Sequence, residues 1–143
     1  METAMKDKVI LRIIAKFIVP LVMLFGLYVQ FHGDYSPGGG FQAGVIFAAA
    51  LILYTLVFGT DKGEQVIPPG VLRLLMSVGV LLFTGVGVAA LLRGGEFLNY
   101  SVLAAHAKEG QHLGIILIEL GVGITVATVM LVIFFAFLRR SRL

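Results

Sequence analysis

The sequence contains no cysteine and few charged residues, and each shortage excludes a class of protein. Without cysteine the chain can form no disulfide, no thiolate zinc site and no cysteine-ligated iron–sulfur cluster, and it has no cysteine nucleophile. Charged residues make up 13% of the chain and hydrophobic residues 59%, whereas a soluble domain carries about 25% charged residues. So few charges could not cover a globule of 143 residues in water. The composition therefore predicts a protein embedded in lipid.

The polar residues that remain argue against several activities. The 11 lysines and arginines flank apolar runs and do not cluster with aromatic residues, so we expect no nucleic-acid binding. The three histidines, His32, His106 and His112, are spread over two connections without the spacing of a metal site. No catalytic triad is recognisable in the sequence. We expect a protein that is not an enzyme and that uses no cofactor or metal ion.

Four apolar runs are long enough to cross a hydrocarbon core, which takes about 20 residues of helix. They cover residues 9–31, 41–58, 71–92 and 113–138. Helices are expected because irregular backbone facing lipid would leave its N–H and C=O groups unpaired, and the alternating pattern of barrel strands is missing. The first run is too long for a signal peptide and is followed by no cleavage site. The sequence predicts an all-α integral membrane protein with four transmembrane helices in a single domain over residues 1–143.

The distribution of cations predicts the orientation of these helices. Nine of the eleven would lie on one side of the membrane, and only Arg93 and Lys108 on the other. The nine are Lys6, Lys8, Arg12, Lys16, Lys62, Arg73, Arg139, Arg140 and Arg142. Because cytoplasmic loops carry the excess of lysine and arginine, both termini are expected in the cytoplasm. The predicted location is the cell membrane, crossed by several spans.

Small residues recur at every fourth position in three of the predicted helices. The three series are Gly40, Gly44 and Ala48 in the second, Gly85 and Ala89 in the third, and Gly110 and Gly114 leading into the fourth. Such spacing lets a second helix approach closely, which supplies much of the association energy in lipid. We expect extensive helix–helix contact, either within the four helices or with a partner.

Glu119 is the most informative charged residue, because it lies within the apolar fourth run. An ionisable group there costs at least about 2.5–3.5 kcal/mol to insert, which makes it a candidate functional site. His112 precedes it by seven residues, or two helical turns, and therefore lies on nearly the same face. The two could pass a proton inward from the outer surface. Alternatively, Glu119 stays protonated, or pairs with a cation of a neighbouring subunit, and only holds helices together.

The connection of residues 32–40 between the first two helices is the second unusual feature. Pro37 fixes its own φ, and the glycines that follow permit conformations closed to other residues. They also expose backbone N–H groups at the start of the second helix, where the positive end of the helix dipole lies. Such a place could receive a carboxylate from a partner or hold Asp34 of the same connection.

This connection resembles a known family, the MnhB domain. The domain is found in the MnhB subunit of Mrp-type multisubunit sodium/proton antiporters and in related membrane-bound hydrogenase and respiratory complexes. Its pattern H…PGGGFxAG is matched by His32, Pro37, Gly38, Gly39, Gly40, Phe41, Ala43 and Gly44. Four helices with both ends in the cytoplasm are similar to the whole of the MnhB subunit, so the resemblance covers nearly the full chain.

The resemblance implies an accessory subunit of an antiporter that moves protons inward and sodium outward. Its expected partners are the other subunits, the lipid bilayer and the transported Na⁺ and H⁺. The loop residues Pro37, Gly38, Gly39, Gly40, Phe41 and Gly44 would support assembly or line the ion path, with His32, Asp34, His112 and Glu119 as ion-path or proton-path candidates. Two other functions stay open, namely a subunit of an energy-converting hydrogenase or respiratory complex, and an autonomous four-helix cation transporter.

Overall fold

The computed structural model describes residues 2–33 and 39–141, with side chains from Lys8 onward. Three residues singled out in the sequence, Asp34, Pro37 and Gly38, lie outside the described residues, as does Arg142. The helices are α1 (Glu2–His32), α2 (Gly40–Phe58), α3 (Thr60–Val66), α4 (Pro69–Leu92) and α5 (Ala107–Arg140), with a 3-10 turn at Tyr100–Val102. The prediction of an all-helical chain with four long apolar helices is confirmed, since α1, α2, α4 and α5 are each long and apolar enough to cross a membrane.

Two parts of the chain are more helical than hydropathy indicated. Helix α5 begins at Ala107, six residues before its apolar run, so that His112 belongs to the helix and not to the preceding connection. The polar connection after α2 contains the short helix α3, which begins directly after Gly59. Hydropathy identifies only the apolar part of a helix, which lies in lipid. Polar residues with good helix propensity extend the helix into water.

Helix α5 is the central element of the bundle, packing against both α2 and α4, while α1 packs chiefly on α2. Glycines bring these backbones close together. A Cβ on Gly44 of α2 would lie 2.6 Å from the Gly123 carbonyl oxygen of α5, and a Cβ on Gly79 of α4 would lie 2.9 Å from the Gly121 carbonyl oxygen. The small-residue face of α2 is therefore used inside the chain. By contrast, a Cβ on Gly85 would meet nothing within 4 Å in the described residues.

The outer faces of the helices expose large apolar side chains. Phe17, Leu81, Leu92 and Phe137 have exposed fractions of 71%, 69%, 83% and 70%. Only 17–28% of the residues in each apolar span are buried inside the chain. Lipid tails are as apolar as these side chains, so such surfaces cost nothing in a bilayer. The helices are thus suited to contact with lipid or with other membrane helices.

One end of the bundle carries α3, the start of α4 and the end of α5. Arg139 of α5 donates through Nε and Nη2 to Oε1 of Glu64 in α3, at 3.1 and 2.9 Å. A core cluster of Ala48, Leu72, Leu131 and Phe135 lies beneath this end. The opposite end carries the connection between α1 and α2, together with the 3-10 turn.

Candidate functional site

Glu119 lies on α5 twelve residues after the helix begins, which places it about 18 Å along the axis. Its side chain is partly buried and points toward the connection between α1 and α2. The two unusual features of the sequence, the charged residue in an apolar run and the glycine-rich connection, therefore meet at one place. We call this place the Glu119 seat, formed by Glu119, Gly33, Gly39 and Gly40.

Three glycines make room for Glu119 in this seat. A Cβ on Gly33 would lie 2.6 Å from the Glu119 carboxylate oxygen Oε2, and a Cβ on Gly39 would lie 2.9 Å from Oε1. A Cβ on Gly40 would overlap the Glu119 backbone, with the carbonyl carbon at 2.7 Å. Real Cβ atoms do not tolerate contacts under 3.0 Å. The glycines thus let the connection lie directly against both the carboxylate and the backbone of α5.

The start of α2 gives the seat a favourable electrostatic environment for a carboxylate. Gly39 is the residue that precedes the helix, and it has no side chain with which to cap the first N–H groups. Its own N–H is used elsewhere, donating to the Val29 carbonyl oxygen at 3.2 Å. The first amides and the dipole of a helix attract negative charge at its N-terminus. The carboxylate that the structure brings to this end of α2 comes from Glu119 of the same chain, while Asp34 lies outside the described residues.

A buried amide, Gln30, lies one turn away from the seat. Its side chain is 8% exposed, and its amide oxygen lies 2.7 Å from the position of a Cβ on Gly123. Gly123 follows Glu119 by four residues and so shares its face of α5. Sequence reasoning missed Gln30, although an amide inside an apolar run, three residues before Gly33, was a usable signal.

The histidines predicted for the ion path occupy different positions. His112 is exposed on α5, two turns before Glu119 on nearly the same face and about 10 Å away along the axis. His32 stacks on the Tyr28 ring, with centroids 5.0 Å apart. It directly precedes Gly33, which adjoins the Glu119 carboxylate. His112 thus shares a helix face with Glu119, and His32 is next in sequence to a residue of the seat.

At the level of the seat the bundle changes from four long helices to two, and we call this change a step. Helices α1 and α2 end at the level of Glu119, since Gly33 and Gly40 both adjoin it. Helices α4 and α5 continue past this level toward the same end, where α4 runs on to Leu92 and α5 starts at Ala107. The chain between α4 and α5 packs on this end of the pair, with Phe97 against Gly87 of α4 and Tyr100 against Gly114 of α5. Glu119 and, above it, His112 are thus placed along one wall of the step.

Gly39→Ala is expected to lower both stability and any activity that depends on Glu119, whereas Gly59→Ala should lower stability alone. Gly39 has φ +118 and ψ −172, and Gly59 has φ +100 and ψ +156. Both conformations are essentially restricted to glycine, and forcing another residue into them costs about 1–3 kcal/mol. Only at Gly39 would the new Cβ also press on the Glu119 carboxylate, since at Gly59 it would meet no described residue within 4 Å. Thermal unfolding, and the sodium-dependent proton flux that the resemblance to the MnhB domain leads us to expect, test this difference when measured on both variants. Equal flux in the two would show that the connection only joins α1 to α2.

Four long apolar helices, exposed apolar faces and one acid seated among helices describe a multi-pass membrane protein with a candidate ion-handling site. Within the part of the chain that the structure describes, no group of three or more His, Asp or Glu residues could hold a metal ion.

Comparison with known proteins identifies the family. Residues 10–132 match the model of the domain related to the MnhB subunit of Na⁺/H⁺ antiporters, so the chain belongs to the MnhB family. It is 34% identical over 134 residues to a protein named as antiporter subunit mnhB2 from Staphylococcus haemolyticus (strain JCSC1435), covering 92% of this chain and 94% of that protein. It is 35% identical over 94 residues to an mnhB2 subunit from Staphylococcus aureus (strain Newman), covering 66% of each. The family predicted from the connection is confirmed.

Proposed function

We propose that this chain is an accessory membrane subunit of a multisubunit sodium/proton antiporter in the prokaryotic cell membrane. The observation that carries this proposal is the match to the MnhB family over residues 10–132, which includes α2, α4 and most of α5. The relatives of similar length are antiporter subunits by name. The partners are the other subunits, the bilayer, and the transported Na⁺ and H⁺.

Within that complex, the Glu119 seat serves the ion path. A carboxylate held at the N-terminus of α2 by three glycines can take up and release a proton or a monovalent cation at a defined position. His112, on the same face of α5, is exposed and passes protons to or from Glu119. The distance of about 10 Å between them along the axis requires water or another side chain between the two.

The accessory role follows from how little charge the apolar spans contain. Glu119 is the one acidic residue within the four apolar runs read from the sequence. A self-contained exchanger of protons and cations needs a cage of several ligands for the cation and a relay for the proton. The remaining groups are supplied by companion subunits that meet this chain at the open side of the step. The placement of the cations favours both termini in the cytoplasm, which puts the Glu119 seat toward the outer side.

Co-purification tests the subunit proposal. The tagged chain, extracted in mild detergent, is expected to retain antiporter subunits, and membranes that lack it should lose sodium-dependent proton flux until the full chain is restored. Recovery of hydrogenase or respiratory subunits in its place would contradict the antiporter assignment. A chain that runs alone as a dimer and transports cations in liposomes would contradict subunit status itself.

A further inference from the structure

A second cavity lies at the opposite end of the bundle from the Glu119 seat, between the start of α4 and the end of α5. It has a volume of about 260 Å³ and is lined by Pro69, Leu72, Arg73, Val132, Phe135, Ala136 and Arg139. The lining thus combines two arginines with a set of apolar residues. We call it the two-arginine pocket.

Arg139 and the apolar residues of the lining lie at different depths. Arg139 is close to the C-terminal end of α5, whereas Val132 lies seven residues earlier, about 10 Å deeper along the axis. Leu72 and Phe135 form the floor and are 2% and 6% exposed, so the floor belongs to the packed core and keeps its shape. Arg139 lies at the rim above this floor, and Arg73, one residue after Leu72 in α4, has an exposed side chain beside it. Charge next to apolar surface matches a ligand that is itself amphipathic.

The charges of the two arginines are only partly neutralised. Arg139 donates two of its N–H groups to Glu64, and a guanidinium has five in all. Within the described residues Arg73 forms no ion pair. Its backbone carbonyl oxygen accepts a hydrogen bond from the Ser77 hydroxyl. Two arginines against one glutamate leave net positive charge beside the pocket. The N-terminus of α4 at Pro69, with Pro68 as its cap residue, adds the positive end of a helix dipole.

We propose that the two-arginine pocket binds an anionic phospholipid, with the phosphate between Arg73 and Arg139 and an acyl chain on the apolar floor. Arginine pairs well with phosphate through parallel N–H donors, and basic pockets between membrane helices are suited to anionic headgroups. A carboxylate from a partner chain would pair with the arginines but would leave the apolar part of the pocket unfilled. The phospholipid accounts for both parts, so it is the occupant that the geometry favours. This inference is independent of the antiporter assignment.

Native mass spectrometry of the full-length chain, with phosphatidylglycerol added, tests the proposal. Arg73→Gln is expected to weaken lipid binding about tenfold, because one charge-assisted contact is lost without breaking an ion pair of the described residues. Arg140→Gln is the matched control, since it removes the same charge at the same end but does not line the pocket. It should change binding less than about twofold, because the phosphate contacts are retained. Equal losses in the two variants would overturn the proposal in favour of general attraction to the charged surface.

A second variant tests the apolar floor with both arginines in place. Ala136 lines the pocket and is exposed, so tryptophan there fills the cavity without entering the core. Ala136→Trp is expected to lower phosphatidylglycerol binding while the helix content, measured by circular dichroism, stays unchanged. Unchanged lipid binding would contradict a seated acyl chain. Binding of inorganic phosphate that displaces no lipid would assign the pocket to the free anion. If Arg73→Gln instead releases a companion chain at constant lipid content, the pocket belongs to a partner.

Discussion

Glu119→Gln is expected to lower the sodium-dependent proton flux of the assembled complex about a hundredfold, the lower end of what a positioned proton-transfer group contributes. Glutamine keeps the shape of the side chain and can still fill the space left by Gly33 and Gly39. It can neither carry the negative charge nor release a proton. The subunits should therefore still co-purify while transport fails. Flux can be followed by fluorescence quenching of a pH-sensitive dye in inverted membrane vesicles.

Two further variants separate the chemistry of Glu119 from its packing. Glu109→Gln is the matched control on the same helix, since Glu109 is exposed in the first turn of α5, and it should leave flux unchanged. Glu119→Asp retains the carboxylate with a shorter reach, so it should restore part of the flux that Glu119→Gln removes. If glutamine transports as well as glutamate does, Glu119 only holds α5 against the connection, and the ion path lies elsewhere in the complex.

Gly40→Ala is expected to have the largest effect on folding and assembly. The added Cβ would overlap the backbone carbonyl of Glu119, and the carbonyl carbon would lie at 2.7 Å. A backbone cannot turn away as a side chain can, so α2 must separate from α5. Overpacking of this kind costs about 1–3 kcal/mol and occasionally more, and here we expect the upper end of that range. The amount of assembled complex recovered from membranes, and its thermal unfolding temperature, measure the effect.

Gly85→Ala provides the control for this prediction. Gly85 also lies inside a long helix, but a Cβ there would meet nothing within 4 Å in the described residues. Alanine is a better helix former than glycine by about 1 kcal/mol, so the variant should assemble normally or slightly better. A poorly assembled Gly85→Ala would place a companion helix on that face of α4. Normal assembly of Gly40→Ala would show that α2 and α5 do not approach each other as closely as described.

Hydropathy predicted which parts of this chain cross the membrane, because a segment in lipid must have all its backbone groups paired, and a helix pairs them within the segment. It was less informative about where the helices end. Residues 107–112 extend α5 as polar helix, and residues 60–66 form α3, although no lipid requires either segment to be helical. The orientation of the chain and its treatment as one domain remain predictions.

The candidate site could be predicted only in pieces. Glu119 stood out because a charged residue in an apolar run is costly, and the connection stood out for its glycines and its resemblance to the MnhB domain. Local spacing also placed His112 on the face of Glu119, because seven residues are close to two turns of helix. Gln30 was not predicted as a site residue, since an uncharged amide is a weaker signal in the sequence than a carboxylate is.

The sequence by itself therefore determined that this protein is a bundle of four apolar helices of the MnhB type, since composition, length and one motif suffice for that. The tertiary structure decided that the acid and the glycines form one site. Glu119 and Gly40 are separated by more than half of the chain, so no local rule relates them. They meet because small residues let α2 lie directly on α5, and that close contact brings the N-terminus of one helix to the carboxylate of the other.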